Sequence, residues 1–310
     1  MKRALLFVVV GLLIHAAISV AFVRWVCADH DVRRMDAKWL HGPIDAQLMI
    51  AGDSHARFAV EAPLLGRAMN VAVPGEHYAK SEFRVPWLLD HGSRGCGAVL
   101  LPYDAASFSS FKTDSFEPEA VWGRYVDYLE LARRRREPLL YGGKWLKANA
   151  APYVGELGIL LQWATSSRHF RDPTDPTGAW TTRDVEGGEQ AAKRHFEGSE
   201  PWDPAMVLSL RHLVEDLRSR GIRVVLVRFP VTGPYARVSR ALGGDPKLRD
   251  DLYEELRRGG GVDQLDYESL YFREPRMFGD GDHLSVTGKR AFTLALGRDL
   301  ARLGIIGPRR

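Results

Sequence analysis

The feature that most constrains the fold of this chain is an apolar run that ends in a sharp turn. Leu48-Met49-Ile50 is typical of a buried β-strand, and Ala51-Gly52-Asp53-Ser54-His55 follows it directly. Gly52 tolerates backbone dihedrals that a Cβ forbids, so the chain can turn at this residue. The turn would place the Ser54 hydroxyl at the carboxyl end of a strand, where open α/β sheets bind their ligands.

Candidate strands and helices alternate over most of the remaining sequence. This alternation predicts a parallel sheet that is covered by helices on both faces. Pro86 should bend or break the helix in which it lies, because proline lacks the backbone N–H that an α-helix uses. The candidate strands are 46–51, 69–73, 97–101, 222–229 and 262–265, and the candidate helices are 62–68, 76–91, 204–220, 248–256 and 285–303.

A serine hydroxyl becomes a good nucleophile only when a neighbouring base takes its proton. The chain offers such a base in Phe278-Gly279-Asp280-Gly281-Asp282-His283-Leu284-Ser285, just before the last predicted helix. In a Ser-His-Asp arrangement the histidine accepts the serine proton, and the carboxylate holds the ring in the required tautomer. The alternative use of Ser54 is as a helix N-cap, which is common for a serine after a turn.

These two segments resemble the first and last sequence blocks of the SGNH (GDSL-type) hydrolase superfamily. The resemblance implies a three-layer α/β/α, flavodoxin-like fold with a parallel sheet. It also implies a catalytic triad in which Ser54 is the nucleophile, His283 is the base and Asp280 orients the histidine. The spacing of three residues selects Asp280 for this role, so we expect Asp282 to be structural.

The oxyanion hole of the superfamily is only partly reproduced. The stretch 69–75 resembles the second sequence block, which implies that the backbone N–H of Gly75 stabilises the oxyanion. The third block normally carries an asparagine, and Asp104 stands in its place. An ionised carboxylate accepts hydrogen bonds and donates none, so either another residue replaces this donor or turnover is slow. His55 and Arg57 are candidates for contact with a substrate carbonyl or glycan, and His55 is alternatively a partner of Asp104.

The amino terminus contains an apolar stretch long enough to cross a membrane. Lys2-Arg3 precedes apolar residues 4–23, and Arg24-Trp25 follows them. Twenty residues at about 1.5 Å each span a bilayer core of about 30 Å. The length favours a retained anchor, whereas the small residues Ser19 and Ala21 are compatible with a cleaved signal peptide. The positive charges at the start predict a single-pass protein of the cytoplasmic membrane whose catalytic domain lies outside the cytoplasm, in the periplasm or extracellular space.

The regular alternation stops between residues 108 and 202. Candidate helices at 118–135 and 143–167 are followed by a polar stretch at 168–201. We expect this insertion to form a lid or a partner surface. Its segment 145–163 is apolar enough to lie on a membrane surface, although packing against the main domain is the alternative. The expected organisation is an anchor or signal segment (1–26), a tether (27–44), an α/β domain (45–107 and 203–310) and the helical insertion (108–202).

Composition and charge narrow the range of partners. The net charge of +4 is scattered along the chain except for the run from Arg133 to Arg136, which is typical of a solvated helix end or a contact for anionic headgroups or glycans. The sequence contains no aromatic-basic motif of a nucleic-acid-binding protein, so we expect no nucleic acid partner. It contains no metal-ligand cluster, phosphate-binding loop or dinucleotide fingerprint, so we expect no metal and no cofactor.

The predicted triad implies acyl transfer through an acyl-serine intermediate. The anchored arrangement resembles that of exported SGNH-like proteins that act beside membrane-bound O-acyltransferases in alginate O-acetylation and lipoteichoic acid D-alanyl transfer. By this resemblance we expect an O-acyltransferase or acylesterase of the cell envelope. Its partners would be an acyl ester donor, a glycan or polymer substrate, the membrane and a membrane-bound O-acyltransferase. The alternatives are a general exported esterase or lipase, and a non-catalytic SGNH-like scaffold that binds a polymer or a partner.

Overall fold

The computed structural model describes residues 2–42, 45–92, 95–112, 119–165 and 187–307. The chain divides into two compact units. We call Met1–Arg34 with Phe116–Phe170 the helical unit, and Met35–Ser115 with Arg171–Arg310 the sheet unit. The expected division into an anchor, a tether, an α/β domain and an insertion therefore differs from the observed one.

The sheet unit is built on five parallel strands in the order β2-β1-β3-β4-β5, which confirms the prediction of an α/β protein with a parallel sheet. The chain steps from β1 outward to β2 and then returns past β1 to β3. Strands β1 and β3 therefore flank the point at which the strand order reverses, and ligands of open α/β sheets bind outside the carboxyl ends of the strands at this point. The strands are β1 (Leu48–Ile50), β2 (Ala68–Asn70), β3 (Ala98–Pro102), β4 (Arg223–Arg228) and β5 (Val262–Asp266).

The α-helices are distributed over both units. In chain order they are α1 (Lys2–Ala21), α2 (Asp31–Leu40), α3 (Ser54–Ala59), α4 (Tyr78–His91), α5 (Glu119–Trp122), α6 (Tyr128–Arg135), α7 (Pro138–Ala150), α8 (Leu157–Thr165), α9 (Gly188–Phe196), α10 (Pro204–Ser219), α11 (Gly233–Leu242), α12 (Pro246–Arg258) and α13 (Val286–Arg302).

Both faces of the sheet are buried. Ile50, Leu100 and Val225 are in register across three neighbouring strands. They share one core with Phe292 of α13, and none of these four side chains is exposed. Met49, Val99 and Val224 alternate with them and point to the opposite face, and they are also buried. The apolar composition of the strands is thus explained by helices that cover both faces.

Helix α4 continues through Pro86 rather than breaking there. A proline inside a helix costs about 3 kcal/mol because one backbone hydrogen bond is lost. Val85 and Leu88 on either side of it are fully buried, and α4 packs along α10. Burial of this face offsets the cost of the proline, so the expected break is absent.

The segment 27–44 is not a polar tether. Its described residues contain helix α2, and Trp39 in that helix is buried and donates its indole N–H to the Leu88 carbonyl at 2.8 Å. Asp36 accepts two hydrogen bonds from the Arg84 guanidinium, at 3.0 and 2.8 Å. This helix was not predicted because its sequence is polar. Its buried contacts include an ion pair as well as an apolar side chain, so the polar residues did not indicate exposure.

The insertion also differs in detail from the sequence prediction. Four helices, α5 to α8, occupy the region in which two were expected. The stretch expected to be polar and irregular contains α9 in its described part, residues 187–201, and its earlier residues from 168 to 186 lie outside the described residues. Helix α11 was not predicted from the sequence.

Candidate active site

Ser54 is the first residue of α3, immediately after the turn that follows β1. Asp53 caps this helix, and its carboxylate accepts the backbone N–H of His55 at 3.0 Å. Gly52 has a φ of +112°, and a Cβ at this position would lie 2.3 Å from Cδ of Pro102. Any side chain at residue 52 would therefore collide with β3. The turn needs glycine, as predicted, and it carries Ser54 to the carboxyl edge of the sheet.

Asp280 and His283 belong to a short loop that is closed on itself before α13. Phe278 and Leu284 form an antiparallel bridge, and the Gly279 N–H donates to the His283 carbonyl at 2.9 Å. Asp280 Oδ1 accepts the backbone N–H groups of Asp282 at 3.0 Å and of His283 at 2.8 Å. These backbone donors fix the Asp280 carboxylate, so the loop orients it before any substrate arrives.

The structure brings Ser54, His283 and Asp280 into one hydrogen-bonded chain. The Ser54 hydroxyl donates to His283 Nε2, with 2.9 Å between Oγ and Nε2. His283 Nδ1 lies 2.8 Å from Asp280 Oδ2, so its N–H donates to that carboxylate. With the proton held on Nδ1, the other ring nitrogen is the acceptor that Ser54 needs. The Phe58 ring packs edge-on against the imidazole at 5.2 Å and limits its rotation.

A second histidine lies beside this chain and is enclosed by carboxylates. His55 Nδ1 is 2.9 Å from Asp104 Oδ2, and its Nε2 is 3.5 Å from Asp282 Oδ2. The His55 side chain is only 4 % exposed. Burial by itself would lower the pKa of His55, but hydrogen bonds to Asp104 and Asp282 raise this pKa well above its ordinary value. The contacts with the two carboxylates thus favour the protonated form of His55.

Asp104 does not face the reacting atoms as an oxyanion donor. Its Oδ1 accepts the Phe229 backbone N–H at 2.9 Å, and its Oδ2 pairs with His55. Both oxygens are thus occupied in holding other groups. From the sequence, His55 was a candidate either for contact with a substrate or for pairing with Asp104. The structure shows the pairing.

Asp282 lies among three histidines rather than at the edge of the site. Its carboxylate oxygens are 3.5 Å from His55 Nε2, 3.4 Å from His283 Nδ1 and 3.9 Å from His195 Nε2. Burial would raise the pKa of Asp282, but the hydrogen bond from His55 and the proximity of the histidines lower it strongly. His195 was not predicted as a site residue, because it falls in a stretch that was expected to be irregular. Its Nδ1 is 2.8 Å from the Tyr235 hydroxyl.

Two backbone donors are available for an oxyanion. Gly75 has a φ of +76° in the turn that the Glu76 N–H closes on the Val73 carbonyl at 3.0 Å. The Val73 N–H donates to the Gly52 carbonyl at 2.8 Å, which ties this turn to the one before Ser54. Within the described part of the chain, neither the Ser54 N–H nor the Gly75 N–H has an acceptor. Both N–H groups therefore remain available as hydrogen-bond donors.

Arg57 is not placed for the substrate contact expected of it. It lies in α3 with 2 % of its surface exposed. Asn70 fixes the end of the same helix by donating from its side-chain amide to the Ala56 carbonyl at 3.0 Å and the Val60 carbonyl at 3.1 Å. Because it is buried, Arg57 presents little surface to a substrate.

The same cluster contains the one group of described side chains whose atoms are close enough to share a metal ion. Ligand atoms of His55, Asp282 and His283 lie within 4.8 Å of one another. A histidine nitrogen must be deprotonated before it binds a metal. The same side chains also take part in the hydrogen-bonded network, in which His283 contacts Asp280 and Ser54, and His55 contacts Asp104 and Asp282.

No protein-family model matches this chain, and no curated protein matches it. Its function is therefore inferred from the geometry of the site.

Proposed function

We propose that this chain is an exported, membrane-anchored serine acyl-transfer enzyme of the SGNH type, with a flavodoxin-like sheet, that acts on a glycan or polymer of the cell envelope. The observation that carries the proposal is the contact of 2.9 Å between Ser54 Oγ and His283 Nε2. The second nitrogen of His283 is held by Asp280 at 2.8 Å, which supports the role of base for the histidine.

In the first half-reaction His283 Nε2 takes the proton of the Ser54 hydroxyl as Oγ attacks the carbonyl carbon of the acyl ester donor. The negative charge that develops on the carbonyl oxygen is stabilised by the N–H groups of Ser54 and Gly75. The ester C–O bond then breaks, and His283 returns the proton to the departing alcohol. The acyl group is left on Ser54.

In the second half-reaction a hydroxyl group attacks the acyl carbon, and His283 accepts its proton. The bond to Ser54 Oγ breaks, and the serine recovers its proton from His283. A sugar hydroxyl as acceptor makes the protein an O-acyltransferase, whereas water makes it an acylesterase. Both outcomes use the same residues.

The pairing of Asp104 with His55 predicts a slow reaction. Asp104 cannot supply the side-chain donor that the superfamily places after the third strand, and loss of one oxyanion donor costs about 10²–10³ in rate in other enzymes. Slow turnover suits an enzyme with a dedicated donor and acceptor held at the membrane.

Membrane anchoring is proposed from helix α1. It is long and apolar enough to cross a membrane, and its apolar side chains are exposed. Lys2 and Arg3 before it favour a cytoplasmic amino terminus, with the sheet unit on the other side. This topology would place the site beside a membrane-bound O-acyltransferase, which we propose as the source of the acyl group.

The proposal is tested by trapping the acyl-serine. The full-length protein in detergent is incubated with 4-nitrophenyl acetate, and intact-mass spectrometry should show the gain of one acetyl group, mapped to Ser54 by peptide analysis. The variant Ser54→Ala should show no gain, whereas Ser219→Ala, an exposed serine at the end of α10, should behave like the wild-type protein. Absence of an adduct on the wild-type protein would instead indicate a scaffold.

Acceptor choice is measured separately. The acetylated protein is divided between buffer and buffer with a soluble saccharide of the envelope, and the product is analysed by mass spectrometry. We expect acetyl saccharide to form faster than acetate. Acetate alone would identify an esterase and contradict the transferase part of the proposal.

A further inference from the structure

We infer that the segment of the helical unit that holds α7 and α8, residues 138–165, is embedded in the membrane leaflet that adjoins Trp25, with lipid hydrocarbon as the partner of its outer surface. The inference rests on the proposed membrane anchoring of α1 and does not depend on the proposed chemistry.

The depth of this segment follows from its contact with His15 in the middle of α1. His15 Nε2 donates to the Ala150 carbonyl at 2.6 Å, and Nδ1 accepts from the Tyr153 hydroxyl at 2.7 Å. His15 lies nine residues before Arg24, which is about 13 Å along a helix. In a bilayer core of about 30 Å this places His15 near the midplane. The residues that satisfy it, at the end of α7 and after it, must reach a similar depth.

A polar residue at this depth needs a protein partner. A polar side chain inside a membrane is costly unless it faces the protein interior and is paired. His15 is paired through both ring nitrogens, by Ala150 and Tyr153 of the segment 138–165. The presence of His15 in an otherwise apolar helix is thereby explained.

Helix α7 has its charged residues inside and its apolar residues outside. Lys147 Nζ lies 2.7 Å from Glu119 and 3.1 Å from Glu156, and Lys144 Nζ lies 3.6 Å from Glu119. A helix at a water surface has the opposite arrangement, with its apolar stripe towards the core. The exposed apolar side chains of α7 are Leu139, Leu140, Trp145 and Leu146, and Leu139 is 92 % exposed.

Helix α8 continues this apolar surface. Its nine residues include no charged side chain, and Leu157 and Leu161 are mostly exposed. An apolar groove of about 380 Å³ separates it from the end of α1, and Trp25 and Trp163 both line this groove. Tryptophan is enriched at the boundary between membrane and water. The groove therefore has the chemistry of a site for a lipid acyl chain.

Continuity with α1 selects lipid over a protein partner. Leu12, Leu13 and Val20 of α1 are exposed in the same way as the apolar side chains of α7 and α8. A contiguous apolar surface of this extent is rare on a soluble protein and marks a contact with a membrane or a partner. Since one bilayer covers both α1 and the segment 138–165, no additional protein is needed.

The test uses a spin label on the outer surface of α8. In full-length protein with Cys27 and Cys96 replaced by alanine, Leu161→Cys is labelled and reconstituted into phosphatidylcholine vesicles. The matched control is Leu248→Cys on α12, a leucine that is 41 % exposed, compared with 54 % for Leu161. Collision rates with oxygen, which concentrates in lipid, and with a water-soluble nickel chelate are then measured.

We expect the label at residue 161 to collide mainly with oxygen and the label at residue 248 mainly with the nickel chelate. A label at residue 161 that collides mainly with the nickel chelate would overturn the inference. Shielding of residue 161 from both reagents would also overturn it, because it would indicate a protein partner.

The unmodified protein supplies a second measurement. In vesicles that contain a phospholipid with a photoactivatable group in its acyl chain, crosslinks should map to residues 138–165 as well as to α1, and not to α12. Crosslinks confined to α1 would contradict the embedding of residues 138–165, whether or not Ser54 is acylated in the same preparation.

Discussion

Asp104 Oδ2 pairs with His55 Nδ1 across a distance of 2.9 Å, at the position where the proposed SGNH-type site would have an oxyanion donor. The same His55 ring contacts Asp282 and lies 5.5 Å, centre to centre, from the ring of His283. The base of the proposed triad is thus adjacent to a second, buried network of opposite charges. This network supports the base and is the main departure from the expected site.

Removal of the Asp280 charge should disable the base. We expect Asp280→Asn to lower kcat for 4-nitrophenyl acetate by about 10⁴-fold, because the amide does not hold His283 in the tautomer that accepts the serine proton. The control is Asp251→Asn, an exposed aspartate of α12, which should leave kcat unchanged. A loss of less than tenfold in Asp280→Asn would show that the carboxylate does not orient the base.

The His55 network should give a characteristic dependence of stability on pH. Because the pKa of His55 is raised in the folded state, its contribution to stability is complete below its ordinary value of 6.5 and is lost as the pH rises through the folded-state pKa. The unfolding temperature of the wild-type protein should therefore fall more steeply than that of His55→Gln as the pH is raised above 6.5. Parallel pH profiles of the two proteins would contradict a buried imidazolium.

Asp282 should contribute to the dependence of stability on pH at the acid end of the range. Its folded-state pKa is lowered, so its stabilising effect is present above its ordinary value of 3.8 and is lost as the pH falls through the folded-state pKa. Asp282→Asn should destabilise the protein at neutral pH, and the difference from the wild-type unfolding temperature should narrow in acid. An unchanged difference between neutral and acidic pH would argue against an ionised Asp282.

The variant Asp104→Asn distinguishes two roles for residue 104, namely positioning His55 and donating a hydrogen bond to the oxyanion. Hydrogen bonds to charged groups contribute about 1.5–3 kcal/mol, so loss of the charge that pairs with His55 should lower the free energy of unfolding by about that amount. We expect kcat of the Asp104→Asn variant to fall. We also expect the pH dependence of its unfolding temperature to resemble that of His55→Gln. A rise in kcat would instead show that the asparagine acts as the missing oxyanion donor.

Arg84 should be among the most sensitive positions of the sheet unit. Its guanidinium is fully buried and pairs with Asp36 at 2.8 Å and Glu76 at 2.6 Å, next to the turn that presents Gly75. Arg84→Met should destabilise the protein by about 3–5 kcal/mol, because it leaves buried carboxylates without their partner. The partly exposed pair of Arg211 and Glu255 is the control, and Arg211→Met should cost less than about 1 kcal/mol. Equal effects in the two variants, measured by chemical unfolding, would contradict this assignment.

Much of the sheet unit was predictable from the sequence because its signals are local. The strands were found within two or three residues of their ends, since apolar runs in a parallel sheet reflect burial on both faces. The turn at Gly52 was predictable from the backbone freedom of glycine, and the contact of Asp280 with His283 from their separation of three residues. In each case the interacting groups lie within one short segment.

The tertiary structure alone decided which distant groups meet. Ser54 and His283 are 229 positions apart, and only the strand order brings both to one edge of the sheet. The contacts of His55 with Asp104 and of His195 with Asp282 carry no sequence signature, because they depend on how separate loops and helices pack. The apolar pattern of α7 was also compatible with two arrangements, because a helix that faces a protein core and a helix that faces lipid have the same apolar stripe. The sequence therefore determined the strands, the turns and the residue types of the site, whereas packing determined their partners and which face of each helix is covered.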